Sequence, residues 1–323
     1  MSLPLDDAAL LAAELLARRW LPRLHPRVRR ALVDAELWQA VQERLAAVGL
    51  RLVDNIHADH VAVALLRTAE APVFGDEVFR AEDVTLPRMG GGFTVDHVSL
   101  SVRKGEIVGL YGLMGAGRTE FLECVMAQHP ASTGRYFVDG QPLVARDVAG
   151  RIASGLALIP EDRKRDGLVQ IMAIRENLTL SSLGLFTRLF HLDLKAEAAK
   201  ALDFVKRLTI KIASPENPVS SLSGGNQQKV VIGKALMTSP KILLMDEPSR
   251  GIDIGAKAEV FRTMRDLAAQ GLGILFVTSD LDEVMALSDR ILVMANGRIS
   301  GAFPSGTDAA TVIAAATPHS RKD

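Results

Sequence analysis

Apolar positions along the chain change their rhythm near residues 69–78. Before that point they recur at helical spacing. Leu10, Leu11, Leu15 and Leu16 line one side of residues 6–20, and Leu37, Val41, Leu45 and Val48 do so over 35–48, with a shorter helix predicted at 26–33. Two short apolar runs, 50–54 and 61–66, flank a polar turn around 55–59 and predict a hairpin. Three helices and a hairpin imply a small α+β, winged-helix-like module over residues 1–75. Thr68-Ala69-Glu70-Ala71-Pro72 reads as the linker that closes it.

From Phe79 onward, runs of strand length alternate with helical patterns. Strands are predicted at 79–86 and 93–102 with Gly90-Gly91-Gly92 as their turn, and a buried strand at 107–111 leads into a helix over 120–126. A helical insert is expected across 157–235, and a helix at 229–237 precedes an apolar run from Ile242. Another buried strand at 273–278, a helix at 280–287, a hairpin of 290–295 with 297–303 and a helix at 307–316 complete the pattern. The implied class is α/β, with a second domain over 76–323.

Composition narrows the function classes. With 323 residues there is room for one large or two unequal domains. Lys plus Arg and Asp plus Glu both number 38, so no global field draws nucleic acid or an anionic membrane surface. Cys124 is the single cysteine, which excludes a disulfide framework and suits a reducing cytosol. No apolar run reaches the length of a membrane span and no signal-peptide core opens the chain, so membrane attachment is expected only through a partner. Arg18, Arg19, Arg23, Arg27, Arg29 and Arg30 form a basic cluster that would suit phosphate or an acidic protein face. The same arginines also fit a solvated helix face offset by Asp34, Glu36 and Glu43. His57 and His60 lack further ligands nearby and do not make a zinc site.

The candidate chemistry lies in three places. Residues 112–119 fit a phosphate-loop spacing, G-x-x-x-x-G followed by Arg118 and Thr119, between a buried strand and a helix. Glycines at Gly112, Gly115 and Gly117, with Ala116 between them, let amides converge on phosphate oxygens, and Thr119 offers a hydroxyl to Mg²⁺. The run from Ile242 ends in Asp246 and Glu247, one placed to hold magnesium through water and the other to orient or deprotonate a water. Between these, Ser223, Gly224 and Gly225 begin a helix whose amides can meet a γ-phosphate.

At residues 112–120, which include Glu120, and at 160–168, 222–229 and 246–257, the chain resembles the nucleotide-binding domains of ABC transporters. Within them it is similar to the second, C-terminal cassette of ribose-, galactose- and xylose-type sugar-importer ATPases. The resemblance spans roughly residues 79–317. It implies a P-loop cassette with a mixed β core, an antiparallel β layer and a helical signature subdomain, binding ATP and Mg²⁺. It also implies head-to-tail pairing with a second cassette, a transmembrane permease contacted near residues 174–178, a sugar-binding protein beyond that, and a cytoplasmic position on the inner face of the membrane. Phe93 is the residue available to stack on adenine, or else an ordinary core phenylalanine. Asp253 is either a contact across the cassette dimer or a helix cap.

Three departures from an ordinary cassette bear on mechanism. Arg118 stands where a lysine reaches the phosphates, Ser279 where a histidine touches the γ-phosphate, and Glu161 near where a glutamine meets magnesium. They imply a slow site of the chain's own beside an intact signature that completes a partner's site. The alternative is a non-transport ATP switch whose N-terminal module binds DNA or protein.

Overall fold

The apolar runs fold into two layers of sheet with a helical arm on one side, as seen in a computed structural model that describes residues 73–189 and 191–317. Residues from Phe74 onward form one compact unit. The helices, hairpin, arginine cluster and histidines expected before Pro72 lie outside the described residues.

β1 (Glu77–Pro87) and β2 (Phe93–Arg103) pair antiparallel across the glycine turn. β3 (Ile107–Tyr111) is buried along its whole length, as a strand covered on both faces must be. α1 (Arg118–Val125) leaves the glycine loop. β4 (Thr133–Val138) and β5 (Gln141–Pro142) extend the first sheet, and α2 (Val148–Ala153) returns the chain to β6 (Leu156–Ile159). The arm contains α3 (Ile174–Thr179), a 3-10 stretch Leu180–Phe186, a small hairpin of β7 (Thr187–Arg188) and β8 (His191–Leu192), α4 (Leu194–Arg207) and α5 (Gly224–Leu236). Then follow β9 (Ile242–Asp246), α6 (Ile254–Ala269), β10 (Gly273–Thr278), α7 (Leu281–Leu287), β11 (Arg290–Ala295), β12 (Arg298–Pro304) and α8 (Ala309–Ala316).

The first sheet has the order β2-β1-β4-β5 and is antiparallel. The second runs β12-β11-β3-β10-β9-β6, parallel from β11 to β6 with β12 antiparallel at the edge. A single apolar core joins them: Phe79, Val84 and Val98 of the first sheet, Phe121, Leu122 and Val125 of α1, and Val108, Leu244 and Val277 of the second.

Helix starts follow local chemistry. Asp193, Asp253, Asp280 and Asp308 each accept a backbone N–H from the first turn of α4, α6, α7 and α8, as short acidic caps do. Asp280 and residues 307–308 therefore precede their helices rather than belonging to them. The cap reading of Asp253 is the one realised within the chain. The expected insert beginning at residue 157 is corrected: Leu156–Ile159 pairs in parallel with β9 inside the second sheet, because a four-residue apolar run is long enough for a buried strand. The arm starts after Ile159. The helix starts at Gly224 with Ser223 before it, as the reading of Ser223-Gly224-Gly225 has it, so the run expected at 229–237 is its continuation.

Asp289 shows how the second sheet is fastened. One carboxylate oxygen accepts the Ile107 amide at 2.9 Å, the other accepts Arg265 Nη1 of α6 at 2.7 Å, and the Asp289 amide donates to the Ile107 carbonyl at 2.8 Å. The side chain is almost wholly buried. Replacing Asp289 by Ala leaves a buried amide and a guanidinium without their acceptor, so a loss of about 3 kcal/mol is expected. Urea unfolding measures it, and a midpoint equal to the parent's contradicts it.

Candidate functional site

Parallel pairing brings the carboxyl ends of three strands level. In the β10 register Val277 lies opposite Asp246, and Thr278 lies opposite Tyr111. The loop after Tyr111, the pair Asp246-Glu247 and the pair Thr278-Ser279 therefore meet at one edge, although they come from three distant parts of the sequence. Such an edge is where open α/β sheets bind ligands.

The glycine loop delivers amides to that edge. Gly117 caps α1 with φ of 95°, a conformation costly for any side chain, and a Cβ there would strike the Thr94 carbonyl. No side chain caps the helix, and the first helical bond is from Phe121 to the Gly117 carbonyl. The amides of Arg118, Thr119 and Glu120 are thus left without helical acceptors at the positive end of α1. Gly112 and Ala116 are buried at the base of the loop, where Ala116 donates to Leu113 at 3.1 Å, while Gly115 is exposed at its tip. Phe93 is 39 % exposed, its ring edge-on to His97, and its neighbour Thr94 is the residue against Gly117. It is a surface ring beside the loop rather than a core one.

Glu247 is the hub. Its Oε1 accepts Arg118 Nη1 at 3.3 Å and the Ser279 amide at 2.8 Å, and its Oε2 lies 3.3 Å from the Thr278 hydroxyl. Arg118 is 8 % exposed. Two of the three substituted positions thus converge on Glu247: the arginine by its guanidinium and Ser279 by its backbone. Thr278, which no local signal singles out, has one hydroxyl proton to give, and the shorter contact is to Glu283 at 2.9 Å. Glu283 in turn pairs with Lys257 at 2.7 Å and accepts the Ser249 hydroxyl. Burial opposes the Lys257 charge, but Glu283 and Asp280 more than offset it and hold the ammonium above the usual lysine range.

Asp246 and Thr119 also meet there, since the Thr119 side chain interacts with the Asp246 carboxyl. Asp246 Oδ1 is buried with no hydrogen-bond partner. Among the described residues no cluster of three or more His, Cys, Asp or Glu gathers. One orphaned carboxylate oxygen and one hydroxyl suit Mg²⁺, which is held by few protein ligands together with phosphate and water. Glu161 does not join them: it forms an ion pair with Arg250.

Ser223 is extended at the start of α5, and Gly224 and Gly225 lie against the segment after Glu247. A Cβ on Gly225 would strike that of Ala256, and one on Gly224 would stand 2.8 Å from Arg163 Nη2. Residues 174–178 form α3, with Ile174, Asn177 and Leu178 buried and Arg175 bound to Glu197 at 2.6 Å and Glu216 at 2.9 Å. No helix among the described residues is long and apolar enough to cross a membrane.

Comparison with known proteins agrees with this geometry. Residues 95–250 match the family described as "ABC transporter". The ribose import ATP-binding protein RbsA of Rhodopirellula baltica is 47 % identical over 229 residues, 70 % of this chain and 45 % of its own length. The xylose import ATP-binding protein XylG of Ralstonia nicotianae is 43 % identical over 249 residues, 75 % of this chain and 48 % of its own length. The chain thus spans about half the length of these curated relatives. A solved dimeric structure of a bacterial ABC transporter cassette superposes with a TM-score of 0.61 at 21 % identity, covering 70 % of this chain and 98 % of that one. That likeness shows the fold.

Burial is the largest influence on Asp246 and lifts its carboxyl to about 6; Thr119 and Arg118 pull it down, and Glu247 pushes it further up. A folded-state value above the unfolded one means that proton binding favours the fold. That contribution is complete below about pH 4 and is lost as the pH rises through about 6. Asp246→Asn, which removes the buried charge, is expected to stabilise the metal-free chain near pH 8 by roughly 2–3 kcal/mol, and to lose that advantage near pH 4. Thermal unfolding at the two pH values checks this, and a gain of equal size at both contradicts it.

Proposed function

The chain carries an ABC transporter ATP-binding domain that resembles sugar-importer ATPases, and from that premise we propose that it binds and slowly hydrolyses ATP as a subunit of a carbohydrate importer. Its own nucleotide loop holds the phosphates through Gly115, Ala116, Gly117, Arg118, Thr119 and Glu120, with adenine on Phe93. Thr119 and Asp246 hold Mg²⁺, and Glu247 orients the attacking water.

The observation that carries the slow-site reading is the ion pair between Arg118 and Glu247. A guanidinium placed for phosphate is bound to the carboxylate placed to activate water, so the oxygen that would meet the water is already engaged. Ser279 offers Glu247 only its amide, and its hydroxyl cannot supply the charge of an imidazole. Glu161, turned toward Arg250, leaves the metal to Thr119 and Asp246. Ser223, Gly224 and Gly225 lie outside the cluster around Glu247. In this reading they serve a nucleotide held by the loop of a second cassette, in the pairing suggested by the dimeric relative.

The remaining partners are a transmembrane permease, met through α3 and its surroundings, and a sugar-binding protein that the permease serves. That places the subunit at the inner face of the membrane, attached through the permease rather than by a span of its own.

The chain alone is expected to bind Mg-ATP while turning it over well below the ~10 per second common among enzymes. Arg118→Lys combined with Ser279→His is expected to raise turnover at least about tenfold, equivalent to ~1.4 kcal/mol off the barrier. Steady-state phosphate release measures both. Parent turnover at the common enzymic rate would sink the slow-site reading, and absence of Mg-ATP binding by calorimetry on the folded chain would sink the nucleotide reading.

A further inference from the structure

Pro160-Glu161-Asp162-Arg163 enters the arm directly after β6, and its three polar side chains are all engaged. Asp162 accepts the amides of Lys164 and Arg165 at 2.9 and 3.1 Å, capping the turn formed by Arg163–Gly167. Arg163 is thereby aimed inward and is 8 % exposed. Its Nη1 donates to the Arg250 carbonyl at 2.7 Å and its Nη2 to the Gly251 carbonyl at 2.9 Å, 87 and 88 residues away. The Arg250 side chain is held from the other direction by Glu161. The same Nη2 lies 2.8 Å from where a Cβ of Gly224 would stand, and the Gly251 carbonyl lies 3.2 Å from that point. One planar fork therefore sits between the first residue of the signature helix and the loop that follows Glu247.

A buried guanidinium is costly. Burial lowers the pKa of Arg163 from the usual arginine value, and its Nε is buried without a partner. A lysine would offer a point charge in place of two parallel donors and could not bridge successive carbonyls in the same way. Retaining the fork here is intelligible if the two segments it joins must move as one.

We infer that Arg163 is a positioning residue that locks the turn at Ser223-Gly224-Gly225 to the Arg250-Gly251 loop, with Glu161 as a second arm reaching only the loop. On the reading proposed above, the first segment faces a partner's nucleotide and the second adjoins the chain's own Glu247. The lock then carries the state of one site to the other within a single chain. It also assigns Glu161 a role in fastening the loop.

Amide hydrogen exchange on the full chain tests this without any partner. Arg163→Gln is expected to speed exchange at least about tenfold at both 227–229, where the Gln227 amide is the first bonded to the turn, and 250–252, Arg163→Lys to restore part of the protection, and Glu161→Gln to speed 250–252 alone. Peptides from β3 and α1 should keep the parent's rate in all three variants, which excludes general loosening. Unchanged exchange at either segment in Arg163→Gln, no recovery with lysine, or acceleration spread over the whole chain overturns the inference. Mg-ATP affinity is measured on the same samples. Its absence in the parent removes the nucleotide reading and leaves the lock to stand or fall on the exchange pattern.

Discussion

The parallel insertion of β10 between β3 and β9 is the constraint on which the site depends. Its hydrogen-bonded register puts Thr278 beside Tyr111 and Val277 beside Asp246. A slip of one residue would turn each side chain to the opposite face and scatter the donors around Glu247. Because the strands are buried on both faces, that register is strongly specified. Asp289 adds a fastening at the opposite end of β3, where it joins the strand's first amide to α6.

Around that frame, charged side chains are drawn into shared contacts. Glu247 collects a guanidinium and an amide, Glu283 collects an ammonium and the Ser249 hydroxyl, and the two carboxylates share the Thr278 hydroxyl. Beside them, Asp246 keeps one oxygen buried and unmatched. In the proposed function, the unmet acceptor is where a cation would sit and the uncapped start of α1 where an anion would. The two lie side by side through Thr119, as a metal-bound polyphosphate requires.

Two long side chains tie the arm to this frame through polar contacts, and both are buried, Arg163 at 8 % exposure and Lys229 at 4 %. Lys229 of α5 adds an ion pair with Glu259 of α6 at 2.7 Å, so the signature helix is held to α6 at a second point along its length. Both ties use long side chains reaching to a neighbouring element, and they add to the apolar burial of Val230, Val231 and Ile232 along α5.

Much of the architecture was legible in local patterns. The strands at 107–111 and 273–278 were read to the residue, because uninterrupted apolar runs between polar stops define a buried strand. The glycine loop, the signature helix start and the Asp246-Glu247 strand end were also legible, since each is a signal contained within about ten residues of chain. The strand at Leu156–Ile159 was absorbed into the arm because four apolar residues suit a helix as well as a strand, and only pairing with β9 decides. Partnerships were beyond the sequence for the same reason on a larger scale. Arg118 meets Glu247 across 129 residues, Arg163 meets Arg250 across 87, and Glu161 turns to Arg250 instead of the metal donors. Residue type fixed what each group can bind, whereas the strand order fixed what lies within its reach.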